Sequence, residues 1–312
     1  MKQIVVLSGK GGTGKTTVAA ALAHLASRRA RIVLADADVD ASNLELLLAP
    51  QRLESHDFTG GQVAVIDLDA CTGCGLCQEL CRFQAISIAP EGANGSKPTV
   101  DPIACEGCAS CFYRCPDKAI RMEQQVAGRW FRSDTRFGPL LHAQLFAAQE
   151  NSGKLVTLVK QQARELGSAQ GRDYLIIDGP PGIGCPVIAA CSGADVALLV
   201  AEPTLAGVHD LERMLAATEY FGVPALVCIN KHDVNLARTA EIERYCASRG
   251  VEVVGHIPFD SVVTEAMVQG KTVTEYIDGP VSSGMRGIWD RIRGALVQEP
   301  SPGNENIVRS VS

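Results

Sequence analysis

Apolar positions fall in short uninterrupted blocks rather than in strict alternation with polar ones. Gln3 to Ser8 is an aliphatic, β-branched run, and Arg31 to Ala35 is another. Between them lie a glycine-rich stretch and the alanine-rich segment Val18 to Arg29. Continuous apolar runs of this length predict strands covered on both faces, and the alanine-rich segment predicts a helix. Tyr174 to Asp178, Val196 to Ala201, Ala225 to Ile229 and Val251 to Ile257 repeat the apolar block and alternate with helical stretches. The alternation predicts an α/β fold with a doubly wound, mostly parallel sheet. A further helix is expected from about Leu44, with Asp40 and Asn43 as candidates to cap it.

At 312 residues the chain has room for a sizeable core and one smaller module. Apolar residues make up 46% and charged residues 21%. That balance excludes wholesale disorder. No apolar run reaches the roughly 18 residues of a membrane span, so none is expected. The first eight residues turn into a glycine-rich loop without a small-residue cleavage site, which points to the cytoplasm. A net charge of -6 argues against nucleic acid as a partner.

Cysteine changes the picture. Eight of the 12 cysteines lie between Cys71 and Cys115, and Cys71, Cys74, Cys77 and Cys81 map onto Cys105, Cys108, Cys111 and Cys115 at a constant offset of 34. Asp67/Asp101, Gly73/Gly107, Ala85/Ala119 and Ile86/Ile120 share the offset, so the segment is an internal repeat. Without an export signal, such a cluster reads as metal ligation before disulfides. Zinc is the competing reading, but two C-x2-C pairs suffice for zinc and would leave cysteines unexplained. The spacing C-x2-C-x2-C-x3-C, twice over, resembles the bacterial two-cluster ferredoxins. There three close thiolates hold one [4Fe-4S] cubane and the fourth crosses to the other. The resemblance implies one cluster on Cys71, Cys74, Cys77 and Cys115, and a second on Cys81, Cys105, Cys108 and Cys111. One position departs from the pattern: Pro116 follows Cys115 as expected, whereas Arg82 follows Cys81.

The other strong motif is Gly9-Lys10-Gly11-Gly12-Thr13-Gly14-Lys15-Thr16-Thr17, between the first predicted strand and the first predicted helix. It fits the P-loop pattern G-x-x-x-x-G-K-[ST]. Backbone N–H groups close around phosphate oxygens, Lys15 reaches the β and γ phosphates, and Thr16 coordinates Mg2+. Thr17 is placed to reach the α phosphate. Tyr174 to Asp178 has the form of a Walker B strand, with Asp178 binding Mg2+ through water.

Lys10 narrows the family. GKGGTGKTT resembles the deviant Walker A ATPases, which include MinD and ParA positioning proteins, Mrp-type iron-sulfur carriers and the nitrogenase iron protein. The resemblance implies that Lys10 crosses a dimer interface to the partner's phosphates. It also implies that Asp38 is the switch I aspartate acting on the attacking water, that Asp36 supports Mg2+ waters, and that Gly179 to Gly182 form switch II. Asn230-Lys231-His232-Asp233 spells N-K-x-D, the guanine signature of GTPases, but the family's asparagine reads adenine. ATP is therefore expected ahead of GTP, with Asn230, Glu202 and Gly182 at the nucleotide. Cys185, which follows Asp178 closely, reads either as a bridging cluster ligand, as in the nitrogenase iron protein, or as a buried small hydrophobe.

Members of this family with an inserted ferredoxin domain share the layout. The expected division is 1–60 and 126–312 for the nucleotide domain and 61–125 for the insert, with Gly60-Gly61, Gly128 and Pro90 to Pro98 as loop punctuation. Gln298 to Ser312 reads as a frayed tail. The resulting expectation is a cytoplasmic ATPase, acting as a homodimer or a dimer with a related ATPase, whose nucleotide state controls electron transfer or partner docking by two clusters. An unidentified redox or iron-sulfur protein is the implied partner. An iron-sulfur assembly carrier and a positioning or scaffold ATPase with structural clusters are the alternatives.

Overall fold

The computed structural model describes residues 1–88, 97–147 and 151–297. In chain order they form β1 (Lys2–Ser8), α1 (Lys15–Ser27), β2 (Ile32–Asp36), α2 (Leu44–Leu48) and β3 (Gln51–Ile66). Next come α3 (Leu76–Leu80), β4 (Ile86–Ile88), β5 (Pro98–Val100), α4 (Ser110–Arg114), β6 (Ile120–Thr135) and β7 (Gly138–Leu145). The chain continues through α5 (Ser152–Ala169), β8 (Tyr174–Pro181), α6 (Cys185–Cys191), β9 (Val196–Ala201), α7 (Leu205–Tyr220) and β10 (Ala225–Asn230). It closes with α8 (Leu236–Ser248), β11 (Glu252–Ile257), α9 (Val262–Val268), α10 (Val273–Tyr276) and α11 (Pro280–Val297).

Among the described residues, nine strands make one sheet in the order β11-β10-β9-β1-β8-β2-β7-β6-β3. Its pairs are parallel from β11 to β7, and β7-β6 and β6-β3 are antiparallel. The uninterrupted apolar runs follow from the two cores they serve. Ile4 and Val6 of β1 face one core with α1 and α11, whereas Val5 and Leu7 face the other with α5 and α7. In α11, Val281, Met285, Ile288, Trp289 and Ile292 recur at helical spacing and are buried on the first core.

The sequence pattern does not signal β3 and β6. Each has 16 residues, and they pair along their whole length as a ribbon that leaves the sheet. Seven successive residues of β3, Gln51 to Asp57, are exposed, so no apolar run marks the strand. Two ion pairs cross between the strands, Arg129–Asp57 at 3.0 Å and Arg132–Glu54 at 2.7 Å. With the stacked rings of His56 and Trp130 they hold the base of the ribbon. Charged residues on this edge also discourage pairing with another chain.

The expected borders at 60/61 and 125/126 fall inside these strands. Gly60, Gly61 and Gly128 are not loop residues: they sit where the register shifts between Phe58 and Gly61, a bulge in a continuous ribbon. A Cβ on Gly128 would lie 2.6 Å from the Gln144 carbonyl oxygen, which is the physical reason for glycine there. Beyond the bulge the ribbon carries a small lobe with its own core of Ala64, Ile86, Cys111 and Ile120, capped by the β4-β5 pair. Of the expected hinge Pro90 to Pro98, residues 90–96 lie outside the described residues and Pro98 opens β5; the expected tail, 298–312, also lies outside them.

Candidate nucleotide site and cysteine hollows

The loop between β1 and α1 lies at the carboxyl end of the central strands, where open α/β sheets bind ligands. Gly14, at φ 91°, is the residue before α1, and Gly12 also has a positive φ of 79°. Behind the loop, Asn230 donates to the Thr13 carbonyl at 2.7 Å, and a Cβ on Gly14 would meet that amide. Gly9 packs against Asp210, a contact with no signal in the sequence beyond the glycine itself.

A cleft of about 650 Å³ opens in front of the loop, lined by Gly12, Gly14, Lys15, Thr16, Thr17 and Asp38 among others. Lys15 is buried and donates to Asp178 at 2.7 Å, with Asp38 at 3.7 Å. Asp178 is fully buried, and its Oδ2 has no hydrogen-bond partner; neither has the buried Thr13 hydroxyl. Asp36, on the adjacent strand, is also fully buried. Burial first, then the charge of Asp178, pushes its carboxyl up to about 7. Asp38 is shifted in the same direction by burial, opposed by Lys15.

Asp36 has a second task absent from the sequence reading. Its Oδ2 accepts from the Ser42 hydroxyl at 2.7 Å and the Leu44 amide at 3.0 Å, so it ties the start of α2 to the site. Helix α2 in turn presents Glu45 to Arg52 of β3 and to the buried His142 of β7. The Val39 carbonyl accepts from Leu145 at the end of β7, beside Gly128 of β6. The Asp38 loop is therefore one hydrogen bond from the root of the ribbon.

Three residues expected at the nucleotide make contacts within the chain. Asn230 is a strut under the P-loop, its amide already engaged by Thr13. Glu202 lies on the far side of the loop, bridging Lys10 at 3.2 Å and Lys231 at 2.9 Å. The Gly182 amide donates to the Ser8 carbonyl at 3.0 Å, which commits the N–H expected to sense phosphate. Lys10 reaches Thr204 as well as Glu202, folding back onto its own chain. The Asp233 carboxylate accepts from the Phe259 amide at 2.7 Å, so the aspartate of N-K-x-D is engaged too.

In the lobe, two separate hollows collect the repeated cysteines. One is lined by Cys71, Cys74, Cys77 and Cys115, the other by Cys81, Cys105, Cys108 and Cys111. Each hollow thus takes three cysteines from one copy of the repeat and one from the other. Among the described residues, no group of three or more His, Cys, Asp or Glu converges on a single ion. Cys185 is exposed at the start of α6, not buried as a small hydrophobe, while Cys191, Cys228 and Cys246 are buried.

A strand, glycine loop and helix with a buried lysine against two carboxylates define a P-loop nucleotide-binding protein. The chain belongs to the CobQ/CobB/MinD/ParA nucleotide binding domain family, which matches residues 4–273. An uncharacterized protein of Methanocaldococcus jannaschii is 35% identical over 236 residues, covering 75% of this chain and 79% of the relative. The septum site-determining protein MinD of Bacillus subtilis is 27% identical over 303 residues, 94% and 90% of the two chains. Among solved structures, MinD of Pyrococcus horikoshii complexed with Mg-ADP is similar in fold, with a TM-score of 0.56 at 18% identity over 93% of this chain and 95% of that one. No described helix is long and apolar enough to cross a membrane.

Proposed function

We propose that the chain is a MinD/ParA-type ATPase, a nucleotide switch whose ATP state governs what its cysteine lobe docks against, and that the lobe holds two [4Fe-4S] clusters. The observation that carries the first half is the buried Lys15, held between Asp178 and Asp38 at the mouth of the cleft. A phosphate tail in the cleft would compete with these carboxylates for Lys15 while the amides of Gly12 to Thr16 close around it. Thr16 and Asp178 are the residues that would hold Mg2+. The donor set fits: a fully buried carboxylate oxygen without a partner needs a cation or a donor. Bound there, Mg2+ would neutralise phosphate charge.

In hydrolysis, water attacks the γ-phosphorus and the bond to the ADP oxygen breaks. Asp38 orients that water, and Lys15 stabilises the charge that develops. Lys10 of a second copy would add a positive charge across the interface, once it has left Glu202. ATP is the expected nucleotide because the glycine loop with its Lys10 is that of the MinD/ParA family.

For the lobe, eight thiols in two hollows match the crossed ligand pattern of a two-cubane ferredoxin. When bound, each cluster would supply one-electron redox chemistry or a structural cross-link.

The relatives favour positioning or scaffolding as the use of this switch, because a protein named for septum placement covers 94% of the chain. Electron transfer is the second reading, and the paired cysteine hollows are what support it. Two assays on anaerobically purified protein test the proposal: Mg-ATP hydrolysis abolished by Lys15→Ala, and about eight irons and eight acid-labile sulfides per chain. Stoichiometric zinc without visible cluster absorption would remove the cluster half and leave the ATPase half standing.

A further inference from the structure

The two cysteine hollows are copies in sequence but not in surroundings. Where the first hollow has Leu76, the second has Ser110. The serine hydroxyl lies 3.5 Å from the Cys108 sulfur. Pro116 lines the first hollow, whereas the matched residue is Arg82, which carries a positive charge on the residue bonded directly to Cys81 of the second hollow. Negative charge does not separate the hollows by count: Asp117 lines the first and Glu106 the second. Asp117, moreover, accepts from the Thr72 hydroxyl at 2.6 Å.

The hollows also differ in place. The second is lined by Ala64 and Met122 of the ribbon, the first by Ile66 and Ile120, farther along toward its tip. A Cβ on Gly107 of the second copy would lie 2.3 Å from the Gln62 carbonyl oxygen, so that cysteine loop rests directly on β3. The second hollow is therefore the proximal one, between the distal hollow and the nucleotide domain.

Reducing a [4Fe-4S] cluster adds one negative charge. Hydrogen bonds to ligand sulfur and nearby positive charge stabilise the added charge and raise the potential. Resting on the cluster reading above, we propose that the proximal cluster, on Cys81, Cys105, Cys108 and Cys111, has the more positive potential of the two, and that Arg82 and Ser110 set the difference. An electron delivered to the lobe then settles at the cluster beside the ribbon. Among the described residues, the lining of the distal hollow, with Leu76 and Pro116 at the matched positions, holds no hydroxyl and no positively charged side chain.

The test is a redox titration of the full-length protein, purified anaerobically and followed by electron paramagnetic resonance. Each cluster takes one electron from dithionite, itself oxidised to sulfite, and no ligand bond is made or broken. Wild type should give two waves. In Arg82→Gln and in Ser110→Ala the more positive wave should move negative, by about a tenfold change in the reduced-to-oxidised ratio, or ~59 mV for one electron. The other wave should stay in place, and Leu76→Ser should instead raise the more negative wave. Full iron and sulfide with a shift of the more negative wave in Arg82→Gln, or with no shift in any variant, overturns this assignment alone. Iron well below the two-cluster content overturns it together with the cluster reading.

Discussion

At the residue scale, burial separates the two lysines of the glycine loop. Lys15 is 6% exposed and Asp178 0%, so removing the lysine strands a buried carboxylate whose other oxygen already has no partner. Lys15→Ala should abolish Mg-ATP binding and cost about 3–5 kcal/mol, read by calorimetry and by urea unfolding. Lys10 is 37% exposed where it pairs with Glu202. A surface interaction of that kind is worth at most about 1 kcal/mol. Lys10→Ala should leave the unfolding midpoint and monomeric ATP binding unchanged while cutting hydrolysis by on the order of a thousandfold, the low end for a charge supplied in trans. Wild-type turnover in that variant would remove the role of Lys10 at a dimer interface. The motif residues were legible because P-loop chemistry demands glycine, lysine and threonine at fixed spacing. Asn230, Glu202 and Gly182 were read as nucleotide residues, whereas their hydrogen bonds within the chain were not legible, because a motif does not say which partners the fold supplies.

At the scale of elements, the doubly wound sheet was legible because its strands are buried on both faces and so write themselves as apolar runs. The ribbon was not. Its exposed half, Gln51 to Asp57, has the composition of a loop, and its stability comes from pairing with β6, which lies beyond the whole cysteine segment in the chain. The glycines read as loop punctuation instead mark the bulge, and their contacts differ enough to test. Gly128→Ala presses a methyl group on the Gln144 carbonyl and should cost about 1–3 kcal/mol. A Cβ on Gly61 would have its nearest neighbour at 3.8 Å. Gly61→Ala should therefore change stability by no more than about 0.5 kcal/mol. Equal unfolding midpoints for the two variants would contradict the bulge packing. The root of the ribbon also carries a titratable contact. His142 is buried, shares a hydrogen bond with the Ser133 hydroxyl at 2.9 Å, and lies 3.3 Å from Glu45 of α2. Burial holds its pKa below 6.5, against the pull of Glu45. The unfolded chain then binds this proton more readily than the folded one, so stability is lost as pH falls below about 6.5. His142→Gln should flatten that loss, read as urea midpoints in neutral and in mildly acidic buffer. An unchanged slope would mean that other groups govern the acid limb.

At the scale of the whole molecule, the lobe is inserted into the chain between the Asp38 loop and the Asp178 strand, and the structure gives that order a physical path. Asp36 fixes the start of α2, Glu45 of α2 grips the root of β3 and β7, and Val39 bonds the end of β7 beside the bulge. A ligand that reorders the Asp38 loop must therefore alter contacts at the foot of the ribbon that carries the cysteine lobe. By linkage, whatever binds or reduces the lobe differently in two nucleotide states changes nucleotide affinity by the same factor. The most direct test is amide hydrogen exchange on the anaerobically purified full chain with Mg-ATP, with Mg-ADP and without nucleotide. Coupling along this path predicts that protection changes together at Val39 to Leu44, at Phe58, Ala127 and Gly128, and in the cysteine loops, and that Lys15→Ala abolishes all of these changes. Exchange that responds to ATP only at the glycine loop and the switches, with the ribbon and lobe unmoved, would contradict it.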